Sequence, residues 1–254
     1  MLKNCKIALA SLQMYYCWVN INASVYNNNK FSYVWSNGTT YDITLPDGNY
    51  EISDINYYLQ LSMIANKHYM IDSTGSNVYF LALSINPTYY NVQVASYQIP
   101  TSAQATTLSY TLPSGVTWSS PVSAYSPQLI VSSTNNFKKI IGFNSGSYPS
   151  SYVQTGTYTK VSDFTPQVSP LSCILVHCNL INNNFSSIPS VMYTFTDDGA
   201  DYGGKVSINP NNLLFNDVPN GAYNYIELRF TDQSNNSISF LDPAITILLV
   251  LQMF

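Results

Sequence analysis

The chain has 254 residues, a net charge of −4 and 9% charged residues, where about 25% is ordinary for a globular domain. Nine Lys and Arg, with no run longer than Lys138-Lys139, exclude a coat that grips nucleic acid by releasing counterions. They also disfavour a helical protein, whose exposed faces need Glu, Lys, Arg and Ala. In place of charge stand 28 Asn, 33 Ser and 22 Tyr, in a chain that is 46% apolar. Tyr joins a large apolar ring to a hydroxyl that stays satisfied at a wet contact, so this composition suits a surface that meets other protein. It equally suits a secreted β-protein or A/T-rich coding sequence. The length allows one large domain or two small ones; all-β sandwiches of this size often form one, and a single domain over 1–254 is expected.

Lys3 and Lys6 ahead of Ile7-Ala8-Leu9-Ala10-Ser11-Leu12 faintly resemble a signal peptide, but Gln13 interrupts the apolar run and the segment reads as a first strand. Residues 6–24 are dense in β-formers and aromatics. Ser36-Asn37-Gly38 then separates the alternating runs 31–35 and 40–45, the strongest short hairpin signal. Pro46-Asp47-Gly48 is a turn. Beyond it the period changes. Ser53 or Asp54 caps a helix, and Ile55, Tyr58, Leu59 and Met63 recur at helical spacing, which predicts one short helix near 54–66 and no other.

Residues 78–83 and 89–97 read as strands. Stretches 100–128 and 143–170, rich in Ser, Thr, Pro and Gly, read as long loops or paired excursions. Strands are expected again at 174–176, 193–196, 223–231 and 238–251, with an Asp/Gly loop at 197–204. The run Ile245 to Leu251 falls far short of the ~20 residues of a membrane helix and reads as a buried last strand. Eight or so strands with turns every ~8–12 residues predict a sandwich or barrel.

Little catalytic chemistry is on offer. Cys5, Cys17, Cys173 and Cys178 form no CxxC and no zinc spacing with histidine, and are expected to be free thiols. Of the two histidines, His68 follows the helix and His177 sits beside Cys178. Neighbouring strand residues face opposite ways, so His177 cannot activate Cys178, and Cys173, on its face, lies about 13 Å off at strand rise. Asp197-Asp198-Gly199-Ala200-Asp201 offers carboxylates of the kind that hold Ca²⁺ but lacks the EF-hand spacing and closing Glu; it reads as a solvated turn. Glu51 and Glu227 are the only glutamates, and no carboxylate pair for glycoside chemistry can be argued. There is no phosphate loop and no GxSxG. Sequons at Asn22, Asn37, Asn184 and Asn235 are what so many Asn and Ser supply by chance. No catalytic residue, cofactor or metal is expected.

One ordered series stands out. Phe31-Ser32-Tyr33 and Tyr41-Asp42-Ile43-Thr44-Leu45 lead through Pro46-Asp47-Gly48-Asn49-Tyr50-Glu51-Ile52 into Ser53-Asp54-Ile55-Asn56-Tyr57-Tyr58-Leu59. Asn136-Phe137-Lys138-Lys139-Ile140-Ile141-Gly142-Phe143 follows, then Ile174-Leu175-Val176-His177-Cys178-Asn179-Leu180, and last Ile226-Glu227-Leu228-Arg229-Phe230-Thr231-Asp232-Gln233. The series resembles the single jelly-roll penton and minor capsid proteins of virophages, Polinton-like viruses and related large DNA viruses. It covers most of the chain except 100–128, and its corner reads Ile141-Gly142-Phe143 where those proteins have an LGF-like one. Physically these residues are scaffold. Pro46 and Gly48 stop a strand, Ile52 ahead of the cap packs back as a staple, and Gly142 permits a bend.

The resemblance implies an all-β single jelly-roll sandwich of two antiparallel sheets. It implies a homopentamer at icosahedral vertices of a virion, built by head-to-tail contacts and touching the double jelly-roll major capsid protein. Two other readings fit the composition: a carbohydrate- or receptor-binding β-sandwich, with Tyr and Trp platforms beside Asn and Asp, and a hydrolase on a β-scaffold.

Overall fold

A computed structural model describes residues 1–254 except 124, 153–155, 169–170 and 198. It is mostly β, with antiparallel sheets and three short helices. The chain gathers into two compact units: Met1–Val19 with Leu171–Phe254, and Asn20–Pro170.

Strand β1, Cys5–Tyr15, belongs to the first unit. Its residues in the core of the unit are Cys5, Ile7 and Leu9, then Leu12 and Met14, a change of parity along one strand. An irregularity in its pairing between Leu9 and Ser11 causes it: the extra residue, Ala10, flips the alternation so that both halves face one core.

The second unit starts with β2, Lys30–Val34, and β3, Thr40–Thr44, paired in register from Lys30/Thr44 to Val34/Thr40. The expected Asn-Gly turn joins them, with Gly38 at φ 75° and its N–H donating to the Trp35 carbonyl at 2.9 Å. Helix α1, Ile52–Ala65, starts two residues before the expected 54. Its cap is Glu51, in a reciprocal capping box with Asp54, whose carboxylate accepts from the Glu51 N–H at 2.8 Å. Ile52 is therefore the first helical residue and no staple; with Ile55, Leu59 and Met63 it forms the buried face.

Short strands follow: β4, Met70–Ile71, with β5, Asn77–Val78, and then β6, Leu81–Asn86, with β7, Asn91–Ser96. The strand expected over 89–97 is β7, trimmed at its ends, while the one expected over 78–83 is broken between β5 and β6 and runs on to Asn86. Stretch 100–128 is more than a loop. It holds a second helix, α2, Ser102–Leu108, capped by a Thr101/Gln104 box, and the start of β8, Gln128–Val131. A third, α3, Phe137–Ile141, ends at Gly142. Stretch 143–170 contributes β9, Gly146–Tyr148, paired to β8, and β10, Tyr158–Val161, paired to β7.

The sheets of this unit run β3-β2-β8-β9, β10-β7-β6 and β4-β5. Their shared core includes Phe31, Tyr33, Trp35, Leu59, Met63, Leu129, Phe137 and Phe143. Phe31 and Phe137 stack with ring centroids 4.6 Å apart, fastening α3 to β2.

The first unit resumes with β11, Ile174–Cys178, β12, Val191–Phe195, β13, Lys205–Ile208, β14, Asn216–Val218, β15, Leu228–Thr231, and β16, Thr246–Met253. Strand β11 lies between β12 and β15. Strand β1 takes β14 along Cys5–Ile7 and β13 along Leu12–Tyr15 on one edge, and β16 along the other. Cys5, Ile7, Leu9, Leu12, Ile174, Val176, Cys178, Met192 and Phe195 form this unit's core. The strands expected over 223–231 and 238–251 shrink to β15 and β16, because Asp242-Pro243 breaks the second run. Among the described residues hydrogen bonding resolves five antiparallel sheets where two were expected, and most strands are two to six residues long.

Candidate functional site

His177 shows how the local fold treats a reactive-looking residue. Strand alternation turns Ile174, Val176 and Cys178 into the core and His177 to the reverse face, as the sequence predicts. There the ring meets two hydroxyls, Nδ1 with Ser190 Oγ at 2.9 Å and Nε2 with Thr231 Oγ1 at 2.8 Å. Burial, and then the Arg229 charge on β15, lower its pKa. This is a neutral imidazole with both nitrogens satisfied. A catalytic triad puts a carboxylate on the far nitrogen to hold the tautomer and stabilise the imidazolium; here Thr231 stands in that place. Burial raises the Cys178 thiol, which takes it further from a reactive thiolate.

His68 is also buried, at 3% exposure. It follows α1 and stacks face to face on Trp35, with centroids 4.6 Å apart and 8° between planes. The Tyr41 ring meets it edge-on, and Tyr33 Oη shares a proton with Nδ1 at 2.8 Å. Burial lowers its pKa from 6.5 to about 4. The Trp35 Nε1–H is buried without a partner, a desolvation cost of about 1–3 kcal/mol.

The four cysteines are free thiols. In the loop after β12, Asp197 accepts from the Gly199 N–H at 3.3 Å; Asp198, part of the Ca²⁺ comparison, lies outside the described residues. Among the described residues no group of three His, Cys, Asp or Glu could hold a metal, and no helix is long and apolar enough to cross a membrane. Asp72 and Asp232 instead organise turns. Asp72 accepts from the Thr74 and Ser76 N–H groups, and Asp232 from those of Ser234 and Asn236, all at 2.8–2.9 Å.

Among the described residues, two of the open cavities can be placed. One, of about 460 Å³, is lined by Gln98, Pro100, Ala103, Gln104, Thr107 and Leu108 beside α2. The other, of about 360 Å³, lies at the start of β1, where Lys6 and Asp217 pair at 3.4 Å. The first has no aromatic in its lining; the second brings Phe254 beside Asp217, Asn4 and Asn220.

The feature that sequence reasoning placed wrongly is β16. It is no buried strand. Ile247 and Leu249 pack on the core of their unit, but Leu248 is 57% and Met253 72% exposed. Among the described residues no strand pairs with its outer edge. Natural edge strands are usually blunted by charge, proline, bulges or short length. These eight residues, TILLVLQM, carry no charge and no proline. The signal in the sequence was the absence of any gatekeeper in that apolar run.

No family model and no curated protein matches the chain. Among solved structures it is similar to the mavirus penton protein, determined as a selenomethionine-labelled crystal structure. The TM-score is 0.44 at 9% identity, over 99% of this chain and 86% of that one.

Proposed function

We propose that the chain is a structural capsid protein, a single jelly-roll penton capsomer that forms a homopentamer at the vertices of an icosahedral virion and touches the major capsid protein. In this reading 1–254 is one jelly-roll polypeptide with excursions near 100–128 and 143–170, and it carries out no catalysis. The ordered motif series of β2 to α1, the Gly142 corner, β11 and β15 supports it. The observation that carries it is β16: eight uncharged residues on an open sheet edge, with Leu248 and Met253 exposed. Such an edge is a template for pairing with another chain. The chain's many uncharged Asn, Ser and Tyr cost less to bury than ions and suit water-bridged contacts.

The alternative, a carbohydrate-binding sandwich, finds in the two cavities described a single aromatic, Phe254 beside Asp217. Native mass spectrometry of the purified protein, with cryo-electron microscopy of particles, tests the proposal. A five-membered ring at the vertices is expected. A strictly monomeric protein absent from particles overturns it.

A further inference from the structure

Residues 112–123, between the isolated pairings of Thr111 with Ile71 and Tyr125 with Ile99, run exposed over the second unit; Val122 is 97% exposed. What fastens them converges on one residue. Lys67 Nζ donates to the Ser114 and Gly115 carbonyls at 2.8 and 2.7 Å. Trp118 Nε1–H donates to the Lys67 carbonyl at 2.7 Å. The Trp118 ring then meets Trp35 edge-on, centroids 5.2 Å apart, and Trp35 stacks on His68. Lys67 itself is left-handed at φ 58°, a conformation uncommon for a side chain of its size. Gly115, at φ +68°, passes so close that a Cβ would stand 2.6 Å from Lys67 Nζ.

We propose that 112–123 is a strap, clasped by Lys67 and Trp118 onto the Trp35–His68 stack, and that protonation of His68 releases it. The groups facing the imidazole favour this. From β2 comes the Tyr33 hydroxyl, from just after it the Trp35 face, and from β3 the Tyr41 ring, with the strap's Trp118 indole reaching it through Trp35. No carboxylate is among these partners. On β3, Asp42 bonds Ser32 at the exposed surface, and after β4 Asp72 is engaged by its own turn. An imidazolium would gain from the face of Trp35, yet burial dominates and holds the ring neutral until about pH 4. Opening the strap hydrates His68 and returns it toward its ordinary titration range, so acid favours the open form. The released strap would expose the faces of Trp35 and Trp118.

Hydrogen exchange of strap peptides by mass spectrometry, corrected for the intrinsic pH dependence of exchange, tests this between pH 7 and pH 4.5. In the native chain the open fraction should rise by up to about tenfold per pH unit below the ordinary histidine range. His68→Phe keeps the stack but cannot titrate, and its strap should be equally protected throughout. Gly115→Ala, strained at its left-handed φ and crowding the Lys67 ammonium, should raise the open fraction of the strap at pH 7. Should His68→Phe not fold, His68→Gln, which does not titrate but still bonds Tyr33, replaces it. A native strap equally protected at both pH values overturns the proposal, as does an acid rise that survives in the His68 variant.

Discussion

Phe164 closes on Gly142 twice. Its N–H donates to the Gly142 carbonyl at 3.0 Å, and its own carbonyl oxygen occupies the space that a Cβ on residue 142 would need. Gly142 is also at φ 75°, ending α3 and turning the chain toward Phe143, which is fully buried. Glycine is required there for both conformation and space. Gly142→Ala is expected to cost roughly 2–4 kcal/mol, read as a lower urea midpoint. A variant as stable as the native chain would show that the corner yields freely.

Ser190 and His177 look like a nucleophile and its base but should not behave as one. With Thr231 on the second ring nitrogen, nothing stabilises an imidazolium. A fluorophosphonate probe should leave Ser190 unlabelled, and stoichiometric labelling would restore the hydrolase reading. His177→Ala should instead act on stability, because Thr231, fully buried, loses a partner. A cost of about 1–3 kcal/mol is expected, measured by denaturation.

Asp163 is where acid should first weaken the β8–β10 region. Burial alone would raise its pKa, but the Asn144 N–H, the Lys160 ammonium at 2.7 Å and the Tyr148 hydroxyl outweigh it and hold the carboxyl below 3.8. A carboxyl depressed in the folded state adds stability above its unfolded pKa and loses it as pH falls through the folded one. Asp163→Asn should therefore cost about 1 kcal/mol at neutral pH and almost nothing in acid strong enough to protonate the folded-state carboxyl. Denaturation midpoints of the two chains should converge across that fall in pH; parallel curves would refute the assignment.

Much of this architecture was legible in the chain. The Asn37-Gly38 hairpin, the buried face of α1 and the division of Val176 and Cys178 from His177 all follow from local period and turn chemistry. What escaped has physical reasons. Helix α2 announced itself only through Thr101 and Gln104, a capping box ahead of seven residues with one buried position, Ala105. Helix α3 is five residues long, too short for any period to show. The parity change from Leu9 to Leu12 records the bulge at Ala10, but only the register with β16 reveals it. Strand β16 itself misled because a continuous apolar run looks alike at the centre and at the edge of a sheet. Position in a sheet is set by distant pairing, which no local pattern encodes.

The exposed row of β16 gives the sharpest test of assembly. Ile247 and Leu249 turn to the core of their unit, while Leu248 lies on the reverse face opposite Ser11. A charge at 248 therefore meets water in the free subunit and should change its stability by no more than about 0.5 kcal/mol. Against a neighbouring chain the same charge must be desolvated without a partner, which costs far more. Charges on edge strands are one way natural sheets prevent pairing. Leu248→Lys should leave the melting of the isolated subunit almost unchanged and lower its self-association at least about tenfold, equivalent to 1.4 kcal/mol. Sedimentation velocity over a concentration series, with thermal denaturation of the same samples, separates the two effects. Unchanged association in a well-folded Leu248→Lys chain would place the subunit contact elsewhere and remove β16 from the argument for a capsid role.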